Sequence, residues 1–170
     1  NPDQYFAELN GYIYFGAANP DTGAELWRSD GTAAGTTLVA DIDPTVPSIP
    51  NQGSNPAYLF TYNNAVYFSA FRPVDGRELW KTDGTAAGTV LVKDFASGGG
   101  FPSNLIEYNG LLYFTANTPN QGYTLYKSNG TTNGTVAVKL PSNGGPNGFP
   151  DALPVIFKGK LFFAADDANG

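Results

Sequence analysis

Three sets of side chains in this sequence are of the right type to do chemistry. The first is a group of loop aspartates, Asp21, Asp75, Asp166 and Asp167, with Asp41, Asp43 and Asp94 at nearby strand ends. Hard oxygens converging from loops are what calcium requires, usually with backbone carbonyls filling the rest of the shell. The EF-hand spacing is absent and solvated carboxylates are the simpler reading, so the four loop aspartates stand as calcium candidates only. The second set is the pair of tryptophans, Trp27 and Trp80, which could stack on sugars. The third is the tripeptide Asn-Gly-Thr at Asn129 and again at Asn133, the acceptor pattern for N-glycosylation. Glycoside hydrolysis would need two carboxylates flanking a bond. The glutamates are Glu8, Glu25, Glu78 and Glu107, and each falls at a strand position, which suggests structure.

Other chemistry is excluded by composition. The chain has no His and no Cys, which removes the usual ligands of zinc, copper and iron, thiol nucleophiles and the commonest general base. A net charge of −6 with only nine basic residues, scattered singly, argues against nucleic acid, whose binding draws on clustered Lys and Arg. No apolar run approaches membrane-spanning length. Low Lys, abundant Gly, Asn and Thr, and the lack of Cys and Met suit an extracellular or cell-surface protein.

The elements that hold these residues are set by repetition. ELWRSDGTAAGTTLVADI, residues 25–42, returns as ELWKTDGTAAGTVLVKDF, residues 78–95, and in altered form as TLYKSNGTTNGTVAVKL, residues 124–140. Phe15, Phe68, Phe114 and Phe163 are equivalent positions in the aromatic strand that precedes each copy. A period of this length fits four strands per unit, as in propeller blades. Each unit predicts a first strand ended by an Asn-Gly-type turn, a second aromatic strand, a third strand carrying ELW, and a fourth rich in Val. The second strand is apolar on both faces, which predicts sheets stacked face to face rather than a sheet with one wet side. The expected fold is all-β: a β-propeller-like stack of four-stranded antiparallel blades, three complete repeats plus half of a fourth. One repeat domain, 1–170, holds blades near 5–43, 58–95, 104–140 and, in part, 152–170. A half unit implies that the chain continues beyond Gly170 or that other copies complete the stack. The tight connections fall at one end, the plain one, and the long, variable ones at the other, the decorated end, where binding usually sits.

Within the third-to-fourth connection, Asp30, Gly31 and Thr32 recur as Asp83, Gly84 and Thr85, and Asn129 takes the place of Asp in unit three. Asp or Asn at this place accepts backbone N–H bonds two residues on. A structural hairpin staple is therefore favoured over a calcium or sugar ligand. Trp27 and Trp80 correspond to Tyr126, where bulk persists without the indole N–H, so packing between blades explains the position best.

ELWRSDGT and ELWKTDGT carry a resemblance across essentially the whole chain. The sequence resembles the ELWxxDGT repeat proteins, bacterial secreted or surface proteins with tandem copies of the unit. The resemblance implies architecture and location more than activity. The turn is also similar to the Asp-box of sialidase propellers, where it is structural, while Arg28, Arg72 and Arg77 form no recognisable carboxylate-binding set. The expected function is a non-catalytic extracellular repeat protein for surface structure, adhesion or self-assembly, with self-association into oligomers or filaments and no certain cofactor. A lectin-like glycan-binding propeller, testable at Asp75 and Arg77, is the alternative; a glycosidase or sialidase ranks third.

Overall fold

The computed structural model describes residues 5–45, 52–95, 98–118, 122–138 and 154–163. These form four antiparallel sheets. The first contains β1 (Phe6–Leu9), β2 (Tyr12–Asn19), β3 (Gly23–Ser29) and β4 (Thr37–Ala40). The second contains β5 (Ala57–Tyr62), β6 (Ala65–Arg72), β7 (Gly76–Thr82) and β8 (Val90–Lys93). The third contains β9 (Ser103–Tyr108), β10 (Leu111–Thr118), β11 (Gly122–Ser128) and β12 (Val136–Ala137). The fourth is the two-stranded β13 (Val155–Phe157) and β14 (Lys160–Phe162). Strand order within each sheet follows chain order, the up-and-down meander of a propeller blade.

The hairpins that open each sheet follow from their turn residues. Asn10 and Gly11 have φ of 53° and 78°, and Asn109 and Gly110 have 50° and 73°. Two consecutive positive φ values make a two-residue turn whose twist matches the flanking strands. Lys158 and Gly159 repeat the geometry at 48° and 68°.

The core lies between blades rather than within one. Tyr14 and Leu26 of the first blade pack with Val66, Phe68 and Trp80 of the second. Tyr67 and Leu79 on the other face of that second blade pack with Leu112, Phe114 and Tyr126 of the third. The first strands β1, β5 and β9 lie side by side and form the inner edge of the stack. Covered on both faces, β6 is buried along most of its length. The expectation of two covered faces fails for the first blade: Ile13 is 50% exposed, and Trp27 is only half-buried. The motif is the same as around Trp80, which is 5% exposed. Burial is set by the neighbouring sheet, and no sheet covers that face of the first blade among the described residues.

Successive blades are latched at their plain ends. Arg28 Nη1 donates to the Gly84 carbonyl at 2.9 Å, and Lys81 Nζ donates to the Gly130 carbonyl at 2.9 Å. In each case the cation following the ELW-type aromatic reads the third-to-fourth turn of the next blade. Tyr62 adds a second tie, its hydroxyl donating to Gly110 O at 2.7 Å, and Tyr108 does the same to Gly159 O at 3.0 Å.

Candidate functional site: a cleft around Arg77 on the decorated end

The repeated turn is held by its own side chains. Asp30 Oδ1 accepts from Thr32 N at 2.9 Å and from Thr32 Oγ1 at 2.7 Å. Asp83 repeats both bonds with Thr85 at 2.9 and 2.7 Å, and Asn129 makes them with Thr131 at 3.1 and 2.8 Å. Each threonine then receives a backbone bond, from Gly35, Gly88 and Gly134. The threonine bonds hold the Asp30 and Asp83 carboxyls below the usual aspartate range. Asn129 and Asn133 are both exposed on this turn.

The glutamate of the motif has a different task. Glu25 is fully buried and accepts from Ile42 N (3.0 Å), Asp43 N (3.3 Å), Ser54 N (2.9 Å) and the Ser54 hydroxyl (2.5 Å). It thus fastens both ends of the crossover that joins the first blade to the second. Glu78, also fully buried, accepts from Phe95 N at 3.1 Å and lies near the backbone of Gly100, so it sits at the next crossover in the same way. Burial raises both carboxyls, and Glu78, with fewer partners and its Oε1 without one, is pushed up to about 7. A buried group with a shifted pKa beside a cleft would ordinarily suggest catalysis. Here the same device holds both crossovers, which marks it as scaffold.

What these crossovers position is a cleft. The backbone of β7 at Arg77 bridges Gly99 and accepts from Phe101 N at 3.0 Å. The corresponding residue of the first blade, Ala24, donates to Gln52 O at 2.7 Å and accepts from Asn55 N at 2.9 Å. The Arg77 side chain lies on the rim shared by two cavities. One, of about 390 Å³, is lined by Tyr58, Phe101, Ser103 and Tyr123. The other, of about 470 Å³, is lined by Gly16, Ala24, Pro56 and Ala57. Both fall within the size range of small-molecule sites, about 300–1,000 Å³. All of these residues lie at the starts of first or third strands or towards the end of the second, the end that carries the long loops.

Arg77 is held and desolvated. Its Nη1 donates to Asn55 O at 2.9 Å and to Ser69 O at 3.3 Å. Burial pulls the guanidinium below its ordinary value, and Tyr58 opposes that effect. Among the described residues the ion pair is between Arg72 and Asp75, and no carboxylate pairs with Arg77. The aromatic walls sit in unusual backbone. Tyr58 has φ of 55° and Phe101 of 46°. The equivalent places are Asn104 at 59° and Asn55 at 45°, so the second and third blades make the same left-handed bulge where the first strand begins. Asn takes this region readily, and a bulky aromatic does so at a cost. Each aromatic therefore occupies, in one unit, a place that the other unit gives to asparagine. Both remain accessible, Tyr58 at 38% and Phe101 at 46% exposure.

The residues expected to act from sequence are distributed otherwise. Asp75 accepts from Arg72 Nε at 2.7 Å and is neutralised there, with the Arg72 guanidinium 5.1 Å above the Trp80 ring. Asp21 and Asp94 are exposed, and Asp43 is buried against Thr45. Asp166 and Asp167 lie outside the described residues. Among the described residues no three carboxylates gather into a group that could hold a metal ion. Of the residues considered for glycan binding, Arg77 lines the cleft; Tyr58, Phe101, Ser103 and Tyr123 went unnoticed. A signal was present, however. Ala24, Arg77 and Tyr123 occupy one position of the repeat, directly before the glutamate or its replacement, and differ in every unit.

No protein-family model matches the chain, and no curated protein matches it in sequence. Two solved structures are similar over 92% of the chain: an alpha-L-arabinofuranosidase from Clostridium thermocellum ATCC 27405, at 17% identity and a TM-score of 0.42, and an endo-1,4-beta-xylanase from Bacteroides thetaiotaomicron VPI-5482, at 17% identity and a TM-score of 0.39. The chain spans 57% and 62% of the lengths of those two proteins. The expectation of a non-catalytic protein for surface structure, adhesion or self-assembly is corrected by this finding: the aligned proteins are glycosidases.

Proposed function

We propose that the protein is carbohydrate-active and holds a sugar chain in the Arg77 cleft on its decorated end. The observation that carries this reading is the pair of aromatic walls, Tyr58 and Phe101, kept accessible in backbone conformations that their side chains disfavour. Strain of this kind persists where the surrounding structure fixes it, and it concentrates at ligand sites. An aromatic ring offers a flat apolar face with a low entropy cost of ordering, which suits the C–H face of a pyranose. The guanidinium and the Ser103 hydroxyl supply directional polar contacts beside it. A concave site with apolar walls and a few converging polar groups is the usual form of a small-ligand site. The extracellular setting and kinship with ELWxxDGT repeat proteins, expected from composition and motif, belong to the same reading.

The test is calorimetric titration with a panel of plant and bacterial oligosaccharides, neutral and acidic, against the wild type and a Tyr58→Asn/Phe101→Asn variant. Asparagine is chosen because the fold already carries it at the equivalent places. The expected result is saturable binding of at least one sugar, weakened tenfold or more in the variant at an unchanged or higher melting temperature. Binding that the double substitution leaves intact, or no binding across the panel, contradicts the proposal.

A further inference from the structure

We infer that the Arg77 cleft selects an acidic sugar, a hexuronic acid unit whose carboxylate sits on the Arg77 fork. The inference rests on the carbohydrate reading of the same cleft and adds to it the class of sugar. Arg77 stands apart from the chain's other two arginines. Arg72 is neutralised by Asp75, and Arg28 is spent on the latch to Gly84 and lies over the Tyr12 ring. Arg77 has two neutral carbonyls, Asn55 O and Ser69 O, and both are reached from Nη1. A guanidinium has five N–H donors in a planar fork. The two carbonyls fix its plane, leaving Nε and Nη2 without a protein bond among the described residues.

A partly desolvated cation without a counter-charge is unfavourable, and an anion entering the cleft relieves it. A planar carboxylate fits the fork through two parallel bonds, which a sugar hydroxyl cannot do. The acidic balance of the chain, −6 overall, does not oppose this at contact distance. Charges beyond about 8 Å are largely screened in physiological salt. Position supports the same assignment. The equivalents of Arg77 are Ala24 and Tyr123, so the repeat does not need a cation there to fold.

The experiment compares oligogalacturonate with the same oligomer after chemical reduction of its carboxyl groups. Wild type is expected to bind the acid form at least tenfold more tightly than the reduced form. Arg77→Gln is expected to abolish that preference, lowering the affinity for the acid form at least tenfold more than the affinity for the reduced form. Arg77→Lys, which keeps the charge and loses the fork, is expected to bind the acid form several-fold more weakly than wild type, and it serves as the informative variant if Arg77→Gln melts early. Arg72→Gln is expected to keep the full preference. Equal affinity of wild type for both forms overturns this inference and leaves the carbohydrate reading standing. A preference for the acid form that survives in folded Arg77→Gln also overturns it. Failure of both forms and of every other sugar in the panel overturns both readings.

Discussion

Arg28 donates from Nη1 to the carbonyl oxygen of Gly84, 2.9 Å away and in the next blade. Gly84 also lies against Tyr14 of the first blade, and a Cβ built there would clash with the Tyr14 hydroxyl oxygen. Gly31, the same motif residue in the first blade, has nothing within 4 Å of such a Cβ. The two glycines have φ of +98° and +92°, so alanine suffers equal backbone strain at both. Tyr14 is 1% exposed and cannot swing aside. Gly84→Ala is therefore expected to cost about 1–3 kcal/mol more than Gly31→Ala in denaturant unfolding. Equal losses would show that the turn does not latch one blade to the next.

The buried glutamates make stability depend on pH in a defined direction. Glu78 is raised to about 7 in the folded protein from 4.5, mainly by burial, and Glu25 is raised as well. Between those values the folded state binds a proton that the unfolded state has released. Stability from Glu78 is thus fully present below about 4.5 and is lost as pH rises through about 7. Asp30 and Asp83 act oppositely. Their lowered values give stability that is present above 3.8 and lost as pH falls below it, a separate window. The melting temperature is expected to be higher at pH 5 than at pH 8. Glu78→Gln, which keeps the acceptor for Phe95 N without a charge to bury, is expected to flatten that difference substantially. A wild-type protein more stable at pH 8 than at pH 5 contradicts the assignment.

Asn129 makes the same two bonds to Thr131 that Asp83 makes to Thr85. The charge is therefore unnecessary to the staple. Asp83→Asn is expected to change unfolding free energy by under about 0.5 kcal/mol, the range of exposed substitutions. Asp83→Ala, which removes the acceptor, is expected to cost about 1 kcal/mol or somewhat more. Comparable losses for the two, or a calcium-dependent melt abolished by Asp83→Asn, would give the carboxylate a role beyond the turn.

The blades themselves were legible because each of their signals is local. Asn10-Gly11 and Asn109-Gly110 encode hairpin turns in two residues, and the aromatic strand around Phe68 declares two covered faces by its lack of alternation. Trp27 shows the limit of that logic. Its motif is identical to that of Trp80, yet its burial depends on a neighbouring sheet that the motif does not specify. The cleft was hidden for another reason. Repetition draws attention to what units share, whereas Arg77 and Phe101 stand where units differ, and Tyr58, matched by Tyr5 in the first unit, gives way to Asn104 in the third. The left-handed backbone under Tyr58 and Phe101 is also contrary to their side-chain preferences, so no propensity could announce it.

That backbone predicts an exchange of stability for function. Tyr58→Asn places at φ 55° the residue type that the third blade carries at 59°. The substitution is expected to raise stability by about 0.5–1 kcal/mol through relief of strain. It should weaken sugar binding in the same protein. Loss of both stability and binding would mark Tyr58 as a packing residue instead.

The most direct test of the carbohydrate reading is a crystal structure of the protein soaked with an oligosaccharide that titration shows to bind. The sugar is expected on the decorated end, with a pyranose face against Tyr58 or Phe101 and a polar group on Arg77. A sugar bound at the half-buried face of Trp27, or anywhere that leaves Arg77 untouched, would contradict the account.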